Sequence, residues 1–317
     1  MPNLNLEVSR MVEKTFLNLG YILRVNINNL NSSENPGNLV LLKKVQDVNG
    51  NYFAYISGQA FRYYLKQTLM QIGLPITKID KNGEYIVRGL EKLKTKEEKY
   101  KYIIENCLDI DLFGFMIAVK GIKEGALRRW SPTKVSPLVS IYPWKGETDL
   151  LTRKKEGQAG GDIVKVEINT FNFMRGTTII NVDEVGSYVD ELNWEIKDII
   201  GNDKRKERVE KLLEAFKNLN GGGKIARLLD DLTPKFLIIT KQNSGTPIFL
   251  NSLSVDENEN LNLDLIKETL DEYSDIVDKY IIGIRQGIFR NENDIREKFR
   301  GNVLSVKEAI EKAKGWI

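Results

Sequence analysis

Histidine is absent from this 317-residue chain and cysteine occurs once, at Cys107. Those two shortages exclude disulfides and most zinc sites, and they remove the commonest general base. With no imidazole to activate it, Cys107 reads as a buried small apolar residue and not as a nucleophile. Long hydrophobic runs are missing too: no stretch approaches the roughly 20 apolar residues that span a bilayer, so no membrane partner is expected. Residues 1–15 interleave Glu7, Arg10, Glu13 and Lys14 with apolar positions and lack a secretory apolar core, which makes a cytoplasmic location the expectation.

Net charge is also small, at +3, but it is unevenly spread. Residues 120–136 carry Lys120, Lys123, Arg128, Arg129 and Lys134 against Glu124 alone. Residues 256–279 carry nine carboxylates, Asp256 and Glu272 among them, against Lys267 and Lys279. A polyanion on one side and a protein neighbour on the other would suit that division. Charged residues at 29% and hydrophobic ones at 41% fit a globular chain, long enough for one large elaborated domain.

Alternation of apolar residues over 18–28 predicts a strand near a sheet centre, with Arg24 and Asn26 on one face. Residues 30–38 are a loop by composition. Strands over 39–47 and 51–56 should form a hairpin at Asn49-Gly50, with Lys43 and Lys44 pointing to opposite sides. The second strand ends at Ser57-Gly58, and a helix follows with Phe61, Leu65, Thr68, Leu69 and Ile72 on its core side, stopped at Gly73 and Pro75. A small hairpin at Asn82-Gly83 and a charged helix over 90–106 come next.

Phe113-Gly114-Phe115 resembles the middle of an RNA-recognition aromatic motif, but Asp111 and Leu112 stand where a basic residue and glycine belong. It is expected to pack, not to stack on bases. Residues 127–142 alternate well enough for a long strand, confined by Pro132 and Pro137 to an edge or bulge. A polar arm over 143–161, with Arg153, Lys154 and Lys155, should project before strands at 165–173 and 177–182 return across Arg175-Gly176. A helical region over 188–216, a short helix ending at Asp231, a strand over 236–241 and helices from 261 onward complete the expectation.

The turn at Ser57 to Lys66 is the chain's best anion site. Ser57 is a good N-cap, Gly58 lets a ligand approach the main chain, and the first N–H groups of a helix attract anions. Arg62 and Lys66, four apart, share a face of that helix, and Gln59 stands at its start. Serine also caps many helices that bind nothing. Gly221-Gly222-Gly223-Lys224 lacks P-loop spacing and follows a helix, so a helix end and restart is expected. Asp230 with Asp231, and Asp109 with Asp111, lack a third ligand and receive no metal or catalytic role.

The order of these segments matters more than any one of them. Lys43-Lys44-Val45 leads to Ser57-Gly58-Gln59-Ala60-Phe61-Arg62, and Asp111-Leu112-Phe113-Gly114-Phe115-Met116 leads to Arg128-Arg129-Trp130-Ser131-Pro132-Thr133-Lys134. Gly222-Gly223-Lys224 and Thr233-Pro234 follow. From about residue 18 to 252 this resembles the DevR family, the repeated backbone subunit of type I CRISPR Cascade complexes, and most of all subtype I-B. The resemblance implies an α+β chain with an RRM-like, ferredoxin-type core spanning 1–317, a thumb insertion at about 143–170 and a helical insertion at about 73–107.

It further implies copies stacked along a CRISPR RNA, with other Cascade subunits as neighbours and target DNA reached through the guide. Ser57, Gln59, Arg62, Lys66 and Lys43 or Lys44 would grip the RNA backbone, with Arg24 and Asn26 added by strand geometry. Arg128, Arg129 and Lys134 belong to the same basic set, Arg153, Lys154 and Lys155 to the thumb tip, and Met174 and Arg175 to the returning strands. No cofactor, metal or catalytic residue is expected. Alanine at both Arg62 and Lys66 is expected to weaken RNA binding with little loss of stability. The alternative is an endoribonuclease like related type III backbone subunits, for which the 30–38 loop offers only Glu34.

Overall fold

Alternating apolar positions in the first half of the chain build the centre of the molecule. The computed structural model describes residues 14–118, 126–154, 161–190 and 195–317. β1 (Phe16–Val25) is buried on both faces, which is why its sequence is nearly all apolar. β2 (Leu39–Val40) and β3 (Lys44–Gln46) replace the single strand expected over 39–47, because Leu42 is drawn aside into a bridge with Ser32. β4 (Tyr52–Ile56) pairs with β3 across Asn49-Gly50, with Gly50 in the left-handed region at φ 88°.

α1 (Gly58–Gln71) buries Phe61, Leu65, Thr68 and Leu69 as expected and ends before Gly73, whose φ is 91°. The helix expected over 90–106 is shorter: a single 3-10 turn, Leu90–Lys92, precedes α2 (Lys96–Asn106), which starts at a Thr95–Glu98 capping box. α3 (Leu108–Phe113) leads through Gly114 into β5 (Phe115–Ala118), and both phenylalanines are buried, so they pack as expected.

The long strand expected over 127–142 is broken into β6 (Ala126–Arg129), β7 (Thr133–Val135) and β8 (Leu138–Ser140). Pro132 and Pro137 supply no ladder N–H: β6 pairs with β5, while β7 and β8 both pair with a later strand, β8 at a separate stretch of it and with β4 on its other side. β9 (Thr148–Lys154) and β10 (Gly161–Glu167) form an antiparallel hairpin, joined on its other edge by β2 in parallel.

β11 (Asn172–Asn181) runs straight through Arg175-Gly176 where a turn was expected. That glycine serves close packing: a Cβ there would meet Leu138 Cδ2 at 2.2 Å and the Tyr21 ring at 2.8 Å. β12 (Ser187–Asp190) and β13 (Glu195–Asp198) occupy the first part of the region expected to be helical, and α4 (Gly201–Lys217) the rest. Residues 223–227 form turns and 228–231 are irregular, with no helix there. β14 (Pro234–Gln242) and α5 (Leu263–Glu272) follow, then β15 (Val277–Ile284), α6 (Glu292–Lys298), β16 (Val303–Ser305) and α7 (Val306–Lys314). β15 and β16 correct the expectation of helices alone after 261.

The large sheet has the order β16-β15-β14-β1-β11-β8-β4-β3, with β7 also on β11. Leu17, Leu19, Tyr21 and Leu23 of β1 face a core made with Phe61 and Leu65 of α1, Leu212 and Phe216 of α4, and Ile310 of α7. Ile22 points the other way, into a second core with Phe236, Phe249, Ile266 and Phe299. A third cluster, including Ile103, Ile110, Phe115, Leu127 and Tyr188, joins the region around α2 to the β5–β6 ribbon. Among the described residues no helix is long and apolar enough to cross a membrane.

Candidate nucleic-acid interface

The start of α1 is held from two sides. Ser57 is extended (φ −62°, ψ 150°), its Oγ accepts from Ala60 N at 3.2 Å, and its carbonyl accepts from Phe61 N at 2.9 Å. Ser57 N–H in turn donates to Asn31 Oδ1 at 2.9 Å, fixing the cap to the loop after β1. The N–H groups of Gly58 and Gln59 have no acceptor among the described residues. They stand at the positive end of a 14-residue helix. Gly58 runs so close to β7 that a Cβ would sit 3.3 Å from the Val135 carbonyl oxygen.

Three polar side chains stand on segments that adjoin the helix start in sequence or through backbone contacts. Gln59 is exposed. Lys43 Nζ lies 5.6 Å from the Tyr55 ring centroid, and Lys134 is exposed on β7 next to Val135. Neither lysine has an ion-pair partner among the described residues. Lys44 points the opposite way from Lys43, as alternation requires. Its ammonium meets Glu167 at 2.5 Å and lies 3.7 Å from the centroid of the Trp144 ring, so it is internally paired.

Arg62 and Lys66 do share one face of α1, but that face is against protein. The half-buried Arg62 guanidinium donates to the Phe113 carbonyl and lies 5.4 Å over the Phe113 ring, and burial lowers its pKa. Lys66 is 3.0 Å from the Asp109 carboxylate and 3.1 Å from the Tyr85 hydroxyl. Asp109 is itself buried, and its other oxygen accepts from Thr77 N and Oγ1. The two basic residues therefore tie α1 to the region that follows it, a role the sequence did not announce.

The loop after β1 is pinned by one carboxylate. Asp230 accepts from Asn26 N at 3.0 and 3.1 Å, Asn26 Nδ2 at 3.0 Å, Asn28 Nδ2 at 2.7 Å and Asp231 N at 2.9 Å. Arg24 pairs with Glu259 at 3.0 Å, above the Phe173 ring. The triple glycine is not a helix end and restart but a close-packed strap on this loop. Gly223 N donates to Leu30 O at 3.3 Å, a Cβ on Gly223 would meet Asn29 O at 2.6 Å, and Gly221 lies against the Tyr64 ring. Tyr64 closes the arrangement by donating to the same Leu30 carbonyl.

Several expected contacts are corrected. Arg129 is not on the surface, its side chain being 5% exposed: it pairs with Asp111 at 2.8 Å and donates to the carbonyls of Ser187 at 2.7 Å, Glu184 at 2.6 Å and Asp111. Asp111 also holds Arg208 at 2.6 Å, which makes this a buried structural cluster. Met174 is 1% exposed and belongs to the core, because it lies mid-strand and not at a turn. Arg175, half-buried, donates to Leu253 O at 2.9 Å.

Arg128 is exposed on β6. Arg153 and Lys154 fall on the β9 backbone, and Lys155, with Lys120 and Lys123, lies outside the described residues. Glu34 is exposed in its loop, and no group of three His, Cys, Asp or Glu side chains placed to hold a metal occurs among the described residues. Sequence reasoning missed Asn31 and Asp230. The signal for both was the asparagine-rich run 26–31, whose side chains needed buried partners.

The architecture is shared with solved chains. One, described as a CRISPR RNA-guided surveillance complex, pre-nicking, matches with a TM-score of 0.60 at 12% identity, covering 94% of this chain and 100% of that one. Another, described as a CRISPR RNA-guided surveillance complex, matches at 0.56 and 14% identity, covering 95% and 99%. A search of curated proteins found no match. The family model described as CRISPR-associated negative auto-regulator DevR/Csa2 matches residues 19–257. The chain belongs to the DevR/Csa2 family.

Proposed function

We propose that this chain is a non-catalytic CRISPR RNA-binding subunit that polymerises along the guide to form the backbone of a type I surveillance complex, most like subtype I-B, presenting the guide for pairing with target DNA. The observation that carries the reading is the capped start of α1 in a DevR/Csa2 chain, with the N–H groups of Gly58 and Gln59 free and the adjoining segments carrying Lys43 and Lys134, which have no ion-pair partner among the described residues. A phosphate fits that setting: N–H donors and lysines hold a backbone without reading bases, as a binder of any guide sequence requires.

Other features support the same reading. The order β14-β1-β11-β8, with α1 after β1 and α4 after β11, supports a ferredoxin-type, RRM-like core. The β9–β10 hairpin supports the thumb, with Arg153 and Lys154 at the far end of β9. Arg24 and Asn26 then act by holding the loop that carries Asn31. Exposed Glu268, Glu272 and Asp275, on α5 and just beyond it, offer a face for a protein neighbour, whether a further copy or another Cascade subunit. Asp230 and Glu167, the carboxylates bonded to Asn28 and to Leu42 N at either side of the loop, are occupied by N–H donors and Lys44, which favours binding over chemistry.

The test is binding of the purified chain to CRISPR RNA over a salt series, with affinity expected to fall by a log–log slope of about 0.7 per phosphate held. Absence of binding at low salt overturns the reading. Cleavage of complementary RNA by the assembled complex with magnesium, abolished by Glu34→Ala, would replace it with the ribonuclease.

A further inference from the structure

The outer face of the β5–β6 ribbon carries an aromatic side chain that the fold leaves unused. Ribbon pairing sets Met116 opposite Arg128, and alternation separates two faces. Phe115, Ile117, Leu127 and Arg129 point inward. Met116 is 68% exposed, Arg128 is exposed, and Trp130 is 90% exposed. A tryptophan so fully in water, beside a thioether and a cation, is a large apolar surface with nothing in the fold to explain it.

We propose that Trp130 is a stacking platform for a base of the bound RNA, with Arg128 holding the adjoining phosphate. The inference rests on the reading of the chain as an RNA-binding subunit. Charge selects the occupant: no carboxylate stands on the outward row Met116, Ala118, Ala126, Arg128, Trp130, and the Arg128 side chain has no ion-pair partner among the described residues. An exposed aromatic face beside an unpaired cation, with no carboxylate on its row, is the pattern that receives single strands.

Position ties the platform to the helix start. From Trp130 the chain continues past exposed Lys134 to Val135, whose carbonyl borders Gly58. Those five steps span at most about 18 Å. An RNA held by the N–H groups of Gly58 and Gln59 reaches Trp130 within a few nucleotides, and stacking tolerates any base because every base has a π-face.

The experiment compares wild type, Trp130→Ala, Trp130→Phe and Arg128→Gln, using an unstructured single-stranded RNA followed by anisotropy and by tryptophan emission. Alanine is expected to weaken binding about tenfold and phenylalanine much less. RNA should quench the emission of wild type, and this component should vanish in Trp130→Phe. Arg128→Gln should flatten the salt slope by about 0.7. The exposed position predicts unchanged melting temperatures, and the phenylalanine variant keeps the test open should alanine disturb the fold. Equal RNA binding by wild type and Trp130→Ala overturns the platform and leaves the helix-start reading standing. Failure of the wild type to bind RNA overturns both. Loss of self-association by Trp130→Ala at unchanged RNA affinity also overturns it, in favour of a protein contact.

Discussion

Asn31 Oδ1 accepts the Ser57 N–H at 2.9 Å across 26 residues of sequence, so the loop after β1 sets where the first turn of α1 presents its free donors. Asn31→Ala removes a neutral hydrogen bond worth about 1 kcal/mol. It is expected to lower the melting temperature slightly and to weaken RNA binding several-fold, measured by calorimetry and anisotropy on the same sample. Ser57→Ala should cost about 1 kcal/mol through the lost cap.

The buried partner of Lys66 changes what its substitution reports. Lys66→Ala strands the Asp109 carboxylate, 1% exposed, in the interior. Breaking such a pair from one side costs about 3–5 kcal/mol. Chemical denaturation should therefore show a large loss of stability, and RNA binding by this variant cannot be read as a contact effect. Arg129→Ala, which leaves buried Asp111 with one counter-charge, Arg208, among the described residues, should destabilise in the same manner.

Gly223→Ala tests the strap over the 29–31 loop. A methyl group 2.6 Å from the Asn29 carbonyl oxygen forces main chain apart, at a cost of about 1–3 kcal/mol. Amide exchange at Ser57 and Asn31 should rise in this variant, and RNA affinity should fall with it. Unchanged exchange would separate the strap from the helix start.

Asp256 makes stability fall in acid. Hydrogen bonds from the Asn260 backbone and side chain, and from Asn258 N, hold its carboxyl below the ordinary 3.8. A carboxylate with a depressed folded pKa stabilises above the unfolded value, and that contribution is lost as pH falls through the folded one. The melting-temperature gap between wild type and Asp256→Ala should be greatest near neutrality and should shrink below pH 3.8.

Local chemistry was legible where it acts within a few residues. Ser57 as a cap, Asn49-Gly50 as a hairpin, Gly73 as a helix end and the inward phenylalanines at 113 and 115 all follow from short-range pattern. Arg175-Gly176 was misread as a turn, because a glycine needed for close approach of Tyr21 and Leu138 is indistinguishable in sequence from one needed for a bend. β15 was missed because its first residues set Asp278 and Lys279 side by side and so break the alternation, and only pairing with β14 fixes them as strand.

By itself the sequence determined the charge asymmetry, the absence of imidazole chemistry and the capped helix after β4, since these depend on residue type and neighbours in the chain. Its ordered motifs pointed to the family that the match over 19–257 establishes. Only the tertiary structure decided which basic residues are free. Arg129, Lys66 and Lys44 are matched to Asp111, Asp109 and Glu167, while Lys43, Arg128 and Lys134 have no such partners among the described residues. A buried carboxylate demands a counter-charge from whichever cation the fold brings near, and that choice is made across the chain, between residues the sequence holds far apart.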